Sequence, residues 1–190
     1  MSSLIGVLAL QGGFEAHELM LAGLGAQTRE VRVPADLAGL EGLVIPGGES
    51  TTMTLGIERE GLAEPLRDFA ASGRAVLGSC AGLIMLDREH LGVMDMTARR
   101  NAFGRQVASF EADLDVAGID GGPLRGIFIR APWIEEHGPD VEVLAAVDGH
   151  PVAARQGRIV AVAFHAELGE DARLHRWFLQ RAGEGDRSPA

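Results

Sequence analysis

Three short runs of apolar residues restrict the folds open to this chain of 190 residues. Leu4 to Leu10, Leu43 to Ile45 and Ala75 to Leu77 carry no polar side chain. A strand without a polar face must be covered on both sides, as a central strand of a parallel sheet is. Each run stops at a glycine-bearing turn: Gln11-Gly12-Gly13, Pro46-Gly47-Gly48, and Gly78-Ser79-Cys80-Ala81-Gly82. Helical spacing follows, through Phe14, His17, Leu21 and Leu24, then Leu62 to Ala71, then Leu83, Ile84 and Leu86. Ser50 or Thr51 is placed to cap the helix after the second turn. Gln27 to Val33 is a more polar strand, nearer a sheet edge, and Pro34 ends it.

The second half changes character. Val107 to Val116, Gly126 to Ile129 and Val141 to Val147 alternate, and Val152 to Val162 predicts a hairpin with Gln156-Gly157 at its turn. Asp171 to Arg181 predicts a final helix. The expected fold is α/β, flavodoxin-like and three-layered. It has a mostly parallel central sheet and additional antiparallel strands in the second half. Residues 1–182 are expected to form one domain, and 183–190 a polar tail.

Composition excludes several functions. The net charge is −10 and no basic cluster stands out, so neither nucleic acid nor a membrane surface is an expected partner. Lysine is absent, which removes Schiff-base chemistry and a P-loop lysine from this chain. A single cysteine forms no internal disulfide and suits a reducing, cytoplasmic setting. The N-terminal run lacks a basic start and reads as a strand, not a signal peptide. No run approaches the ~20 apolar residues of a membrane span. The histidines show no metal-ligand spacing, so no metal is expected. His17, His90, His137, His150 and His175 read as surface or packing residues.

That single cysteine, Cys80, stands between a buried-type strand and a helix, with glycine two residues to either side. This is the layout of a nucleophile elbow, the glycines letting the backbone turn sharply with no Cβ in the way. A buried core cysteine is the competing reading. His165-Ala166-Glu167 ends another apolar strand. Residues two apart in extended chain share a face, so Glu167 can orient the His165 ring. Thiol, imidazole and carboxylate are the parts for acyl transfer. Pro46-Gly47-Gly48-Glu49-Ser50-Thr51 reads as backbone N–H groups aimed at an oxyanion, as an ordinary capped turn, or as a phosphate loop. Arg100 and Arg130 read either as carboxylate-binding arginines or as solvated charges.

Together these residues resemble the class I (triad) glutamine amidotransferases, nearly end to end. More narrowly, they resemble the family of glutaminase subunits of pyridoxal 5′-phosphate synthase. The specific segments are Pro46 to Met53, Gly78 to Ile84, Arg100-Asn101-Ala102-Phe103-Gly104-Arg105-Gln106, Ser109 to Leu114, and Phe128-Ile129-Arg130-Ala131-Pro132. The resemblance implies that Cys80 is the nucleophile, His165 the general base and acid, and Glu167 the orienting carboxylate. It implies that L-glutamine is held around Gly48, Glu49, Ser50, Arg100, Ile129 and Arg130. Oxyanion donors would come from Gly47, Gly48 and Ala81, and Gln11 would lie near the active site and the partner-facing surface. No cofactor is implied. The implied partner is the ammonia-accepting pyridoxal 5′-phosphate synthase subunit, of the PdxS/SNZ type. The family usually has His-Pro-Glu where this chain has His165-Ala166-Glu167, and the segment at Glu89 to Leu91 is short. A glutaminase of another pathway, a cysteine hydrolase that does not need the late histidine, and a non-catalytic subunit remain as alternatives.

Overall fold

The computed structural model describes residues 3–104 and 109–184. Arg105 and Gln106 of the quoted motif, residues 107–108 of the expected strand, and 185–190 of the expected tail lie outside the described residues. The first strands are β1 (Leu4–Leu8), β2 (Gln27–Val31), β3 (Gly42–Ile45) and β4 (Ala75–Ser79). Helix α1 (Phe14–Gly23) joins β1 to β2, and α2 (Ser50–Arg59) and α3 (Ala63–Ala71) join β3 to β4. Helix α4 (Ala81–Leu86) follows β4 directly.

Seven strands form the main sheet in the order β2-β1-β3-β4-β11-β10-β9. Its last three are β9 (Glu142–Val147), β10 (His150–Gln156) and β11 (Ile159–Val162). β2, β1, β3, β4 and β11 run parallel, while β10 and β9 are antiparallel additions at one edge. The apolar runs occupy the middle: β3, β4 and β11 are buried throughout. The polar β2 forms the opposite edge, as its composition predicts. β10 and β11 make the expected hairpin. Gln156 pairs with Ile159, so the two-residue loop is Gly157-Arg158, with Gly157 at φ +58°. Glycine at the first loop position fits the right-handed strand twist.

Among the described residues two smaller antiparallel pairs accompany the main sheet: β5 (Met96–Arg99) with β8 (Trp133–His137), and β6 (Ser109–Leu114) with β7 (Leu124–Ile129). Neither β5 nor β8 carries an alternation strong enough to predict it. Phe110 on β6 stacks on Phe128 of β7 at 4.5 Å, and Phe128 reaches Phe164 beyond β11 at 5.7 Å. These rings fasten the β6–β7 hairpin over the carboxyl ends of the main strands. Helix α5 (Arg173–Gly183) packs on α1 and against β4. The sequence places this helix two residues earlier. Asp171 instead stays outside it, accepting the Arg173 N–H and pairing with its guanidinium. Among the described residues no helix is long and apolar enough to cross a membrane.

From β1 the chain reaches β2 on one side and β3 on the other, so the order reverses there. In open α/β sheets the crevice outside the strand carboxyl ends at such a point is where ligands bind. Gln11, Gly47–Ser50, Cys80 and His165 all follow carboxyl ends of parallel strands: β1, β3, β4 and β11.

Candidate active site

Cys80 follows β4 with φ +51° and ψ −106°, a conformation that L side chains rarely adopt. Holding it costs ~1–3 kcal/mol, and such strain collects at functional sites. The elbow is thus formed by the cysteine itself. The flanking glycines keep the turn free of Cβ atoms as expected, though neither Gly78 nor Gly82 has positive φ. They serve close packing. A Cβ on Gly82 would lie 2.0 Å from the Ile45 carbonyl oxygen, and one on Gly78 would lie 2.6 Å from that of Gly82. Only without those methyl groups does α4 seat against β3 and present the Ala81 N–H beside the thiol.

His165 and Glu167 meet by a different route from the one expected. Extended chain does not continue through them. Ala166–Leu168 forms a 3₁₀ turn that folds the Glu167 carboxylate back, and its Oε1 lies 2.7 Å from His165 Nδ1. Ala166 occupies the first turn position, where proline is favoured in general but alanine is also accommodated. On its other side the His165 ring faces the cavity that Cys80 also lines. Burial disfavours charge on His165, but its interactions with Cys80 and Glu167 outweigh this and raise its pKa from 6.5 to about 10. Burial likewise pushes the Glu167 carboxyl up, and the His165 hydrogen bond overcomes this and holds it below the usual carboxylate range. The site therefore favours an imidazolium at His165 beside the Glu167 carboxylate.

A cavity of about 480 Å³ opens over this group. Cys80, Ala81 and His165 line it, with Gly48, Glu49, Ser50, Arg100, Ile129 and Arg130. Ile84, Asn101 and Pro132, not singled out as site residues from the sequence, complete the wall. Glu167 stands behind His165, outside the cavity. Gly47 does not line the cavity but packs against its reactive pair, for a Cβ there would meet His165 Cε1 at 2.5 Å and the Cys80 Cβ at 3.3 Å. Gln11 does not line the cavity. Its Oε1 accepts the Glu49 N–H at 3.0 Å, and its amide lies against the α-carbon of Gly48. A larger depression of about 910 Å³ lies at the amino ends of β3, β4 and β11. Its one hydroxyl, Ser72, donates to the Phe69 carbonyl with no histidine among the lining residues, so chemistry at the smaller cavity takes precedence over size.

Glu49, not Ser50 or Thr51, caps α2. Its carboxylate accepts the N–H groups of Thr51 and Thr52 at 3.0 and 2.7 Å and the Thr52 hydroxyl at 2.8 Å. These bonds, the Thr52 N–H foremost, lower its pKa to about 2. The longer glutamate side chain reaches two orphan donors at once, while Ser50 is turned inward and buried. Arg100 Nη2 lies 3.3 Å from Glu49 Oε1, which ties the β5 end to the α2 start across the cavity mouth. Arg130 and Asn101 both hold positive φ, at +44° and +46°. Cys80 Sγ lies 3.9 Å from the Ile129 carbonyl oxygen.

Behind Cys80, His165 and Glu167 lies a group that periodicity did not single out. His17 and His175 are fully buried, their rings joined at 2.9 Å, and His17 also reaches Ser79 Oγ at 3.2 Å. They read as packing residues because 158 positions separate them. Only the contact of α1 with α5 brings them together.

Comparison with known proteins agrees with this geometry. A model described as the SNO glutamine amidotransferase family matches residues 7–184. A Deinococcus radiodurans protein named pyridoxal 5′-phosphate synthase subunit PdxT is 54% identical, covering 95% of this chain and 97% of its own length. An Acidothermus cellulolyticus protein of the same name is 54% identical over 92% of this chain and 91% of its own. A solved structure described as a glutamine amidotransferase superposes with a TM-score of 0.89 at 46% identity, covering 94% of this chain and 98% of that one. PurLQS from Thermotoga maritima has a TM-score of 0.74 at 18% identity, a likeness of fold alone.

Proposed function

The chain belongs to the SNO glutamine amidotransferase family, and from that premise we propose how it acts as a glutaminase in vitamin B6 biosynthesis. It hydrolyses L-glutamine to L-glutamate and ammonia, and the ammonia passes to a pyridoxal 5′-phosphate synthase partner of the PdxS type. The observation that carries the assignment of residues is Cys80 at a strained elbow. It lies on the wall of a cavity with His165, whose other ring nitrogen lies on Glu167.

In this reading the Cys80 thiolate attacks the side-chain carboxamide carbon. The Gly47–Gly48 backbone and the Ala81 N–H receive the oxyanion, donors of a kind worth ~3–4 kcal/mol each. The His165 imidazolium gives its proton to the departing nitrogen, and ammonia leaves a γ-glutamyl thioester. Neutral His165 then takes a proton from water, whose oxygen attacks the thioester carbon, and glutamate departs as the thiolate re-forms. Glu167 fixes the ring and stabilises its charged form. Gly48, Glu49, Ser50, Arg100, Ile129 and Arg130 surround the substrate, the arginines suiting its α-carboxylate. The absence of lysine places any sugar Schiff base on the other chain.

The test is ammonia release from glutamine with a purified PdxS-type synthase subunit present and absent. Release that rises with the partner is expected, since a partner can complete a catalytic arrangement. No release in either condition, with a competent synthase, would overturn the reading. The pH dependence follows from His165. Its folded-state pKa is raised, so the imidazolium persists below about 10 and is lost above it. The alkaline limb of kcat/KM is expected near pH 10, and Glu167→Gln is expected to move it downward. A pH–rate series of both proteins checks this.

A further inference from the structure

Glu167 has two carboxylate oxygens, and the triad uses one. Oε1 lies on His165 Nδ1. Oε2 is buried, and no well-aligned hydrogen bond reaches it. His17 Nε2 stands 3.4 Å away, with Ser79 Oγ at 3.2 Å from the same nitrogen. Oε2 is thus a close charged neighbour of a ring nitrogen that also meets the Ser79 hydroxyl. On its other side, His17 Nδ1 is 2.9 Å from His175 Nε2, and His175 Nδ1 is buried without a partner. The titratable groups facing His17 are His175 from α5, and Glu167 with His165 from the segment after β11. Ser79 on β4 adds the remaining polar atom.

One distribution of protons suits these neutral rings. Were His17 protonated on Nδ1, its bare Nε2 would face the Glu167 oxygen lone pair to lone pair. His175 would then need its proton on Nδ1, an orphan donor in the interior costing ~1–3 kcal/mol. With the proton on His17 Nε2 the lone-pair conflict is removed, and the orphan at His175 Nδ1 is an acceptor instead of a donor. His175 Nε2–H donates to His17 Nδ1, and the unpartnered atom of His175 is a bare lone pair. Burial holds both rings below the usual histidine range, His175 at about 3, so neither carries charge near neutral pH. A neutral donor suits this place. A second cation beside Glu167 would compete with His165 for the carboxylate charge.

We propose that His17 is a positioning residue for glutamine hydrolysis: its Nε2–H, oriented by His175, holds Glu167 Oε2 so that Oε1 stays on His165. The proposal rests on the glutaminase reading above. Without that donor the desolvated carboxylate is free to rotate, and the His165 ring loses its fixed direction and part of its charge stabilisation.

His17→Met and His17→Gln test it, assayed with the synthase subunit. Glutamine can place an amide N–H near the former Nε2, whereas methionine fills similar volume without a donor. His17→Met is expected to lower kcat about tenfold, the effect of losing one polar contact to a buried carboxylate. KM for glutamine should hardly change, the alkaline limb should move to lower pH, and His17→Gln should restore much of both. A wild-type rate in His17→Met overturns the proposal. So does a slower His17→Met with an unmoved alkaline limb, or a His17→Gln no better than it, since packing alone explains those results. ¹⁵N NMR of the wild-type imidazoles decides independently of whether the variants fold. A neutral His17 protonated on Nε2 is expected, and an Nδ1–H tautomer or an imidazolium near neutral pH overturns it. A wild-type chain that releases no ammonia with its synthase would refute the glutaminase reading, and the tautomer measurement would still stand apart.

Discussion

Cys80→Ala is expected to reduce partner-stimulated ammonia release from glutamine by at least ~10⁴-fold while the protein stays folded. Cys80 would supply the bond that splits a difficult hydrolysis into two steps, so neither His165 nor the oxyanion donors can substitute for it. In enzymes whose triad acts as a unit, loss of the nucleophile alone removes most of the chemical acceleration. The fold loses little. The Cys80 side chain is small, and alanine keeps the Cβ that already tolerates φ +51°. A melting temperature within ~4 °C of wild type is therefore expected. The paired measurement is ammonia release and thermal unfolding of the same preparation. Activity retained in the variant would remove Cys80 from the mechanism, and unfolding would make its loss of activity uninformative.

Much of the scaffold was legible because local rules and tertiary packing agree there. Leu43 to Ile45 and Ala75 to Leu77 are apolar on both faces because helices cover both faces. Gly157 marks its hairpin because the two-residue loop needs a residue tolerant of positive φ. Features set by contacts distant in sequence were not legible. β5 and β8 are short, and each gains its ladder only from the other, across more than thirty residues. Glu49 as a helix cap escaped a rule that favours short side chains. The 3₁₀ turn at Ala166–Leu168 lies where an apolar strand would otherwise run on, so the His165–Glu167 contact was expected for a different geometric reason. His17 and His175 were visible only as isolated histidines. One signal could have found them: each falls on the inward, apolar face of its own helix, where an unpaired imidazole is costly.

Gly82→Ala is expected to damage both stability and activity, although it adds one methyl group to a helix that alanine otherwise favours. The new Cβ would stand 2.0 Å from the Ile45 oxygen, 2.9 Å from the Ile45 carbonyl carbon and 3.3 Å from the Pro46 oxygen. These are backbone atoms of a central strand and its exit turn, so no side chain can swing aside. Restoring ordinary contact moves α4 away from β3 by about 1 Å, more than a packed interior absorbs without loss. Overpacking of this kind costs ~1–3 kcal/mol and sometimes more. Because the obstacle is backbone, the upper end is expected, a fall in melting temperature of roughly 10 °C. The same displacement shifts Ala81, so the folded fraction should also lose turnover if the Ala81 N–H receives the oxyanion as proposed. Gly23→Ala is the control, because nothing lies within 4 Å of its Cβ position and its φ is not positive. There the substitution should stabilise by ~0.4–1 kcal/mol through reduced freedom of the unfolded chain. Thermal unfolding of the two variants beside wild type decides whether Gly82 is required for space. Equal, small shifts would show that α4 can move off β3 freely, and the close seating of the nucleophile helix would then need another cause.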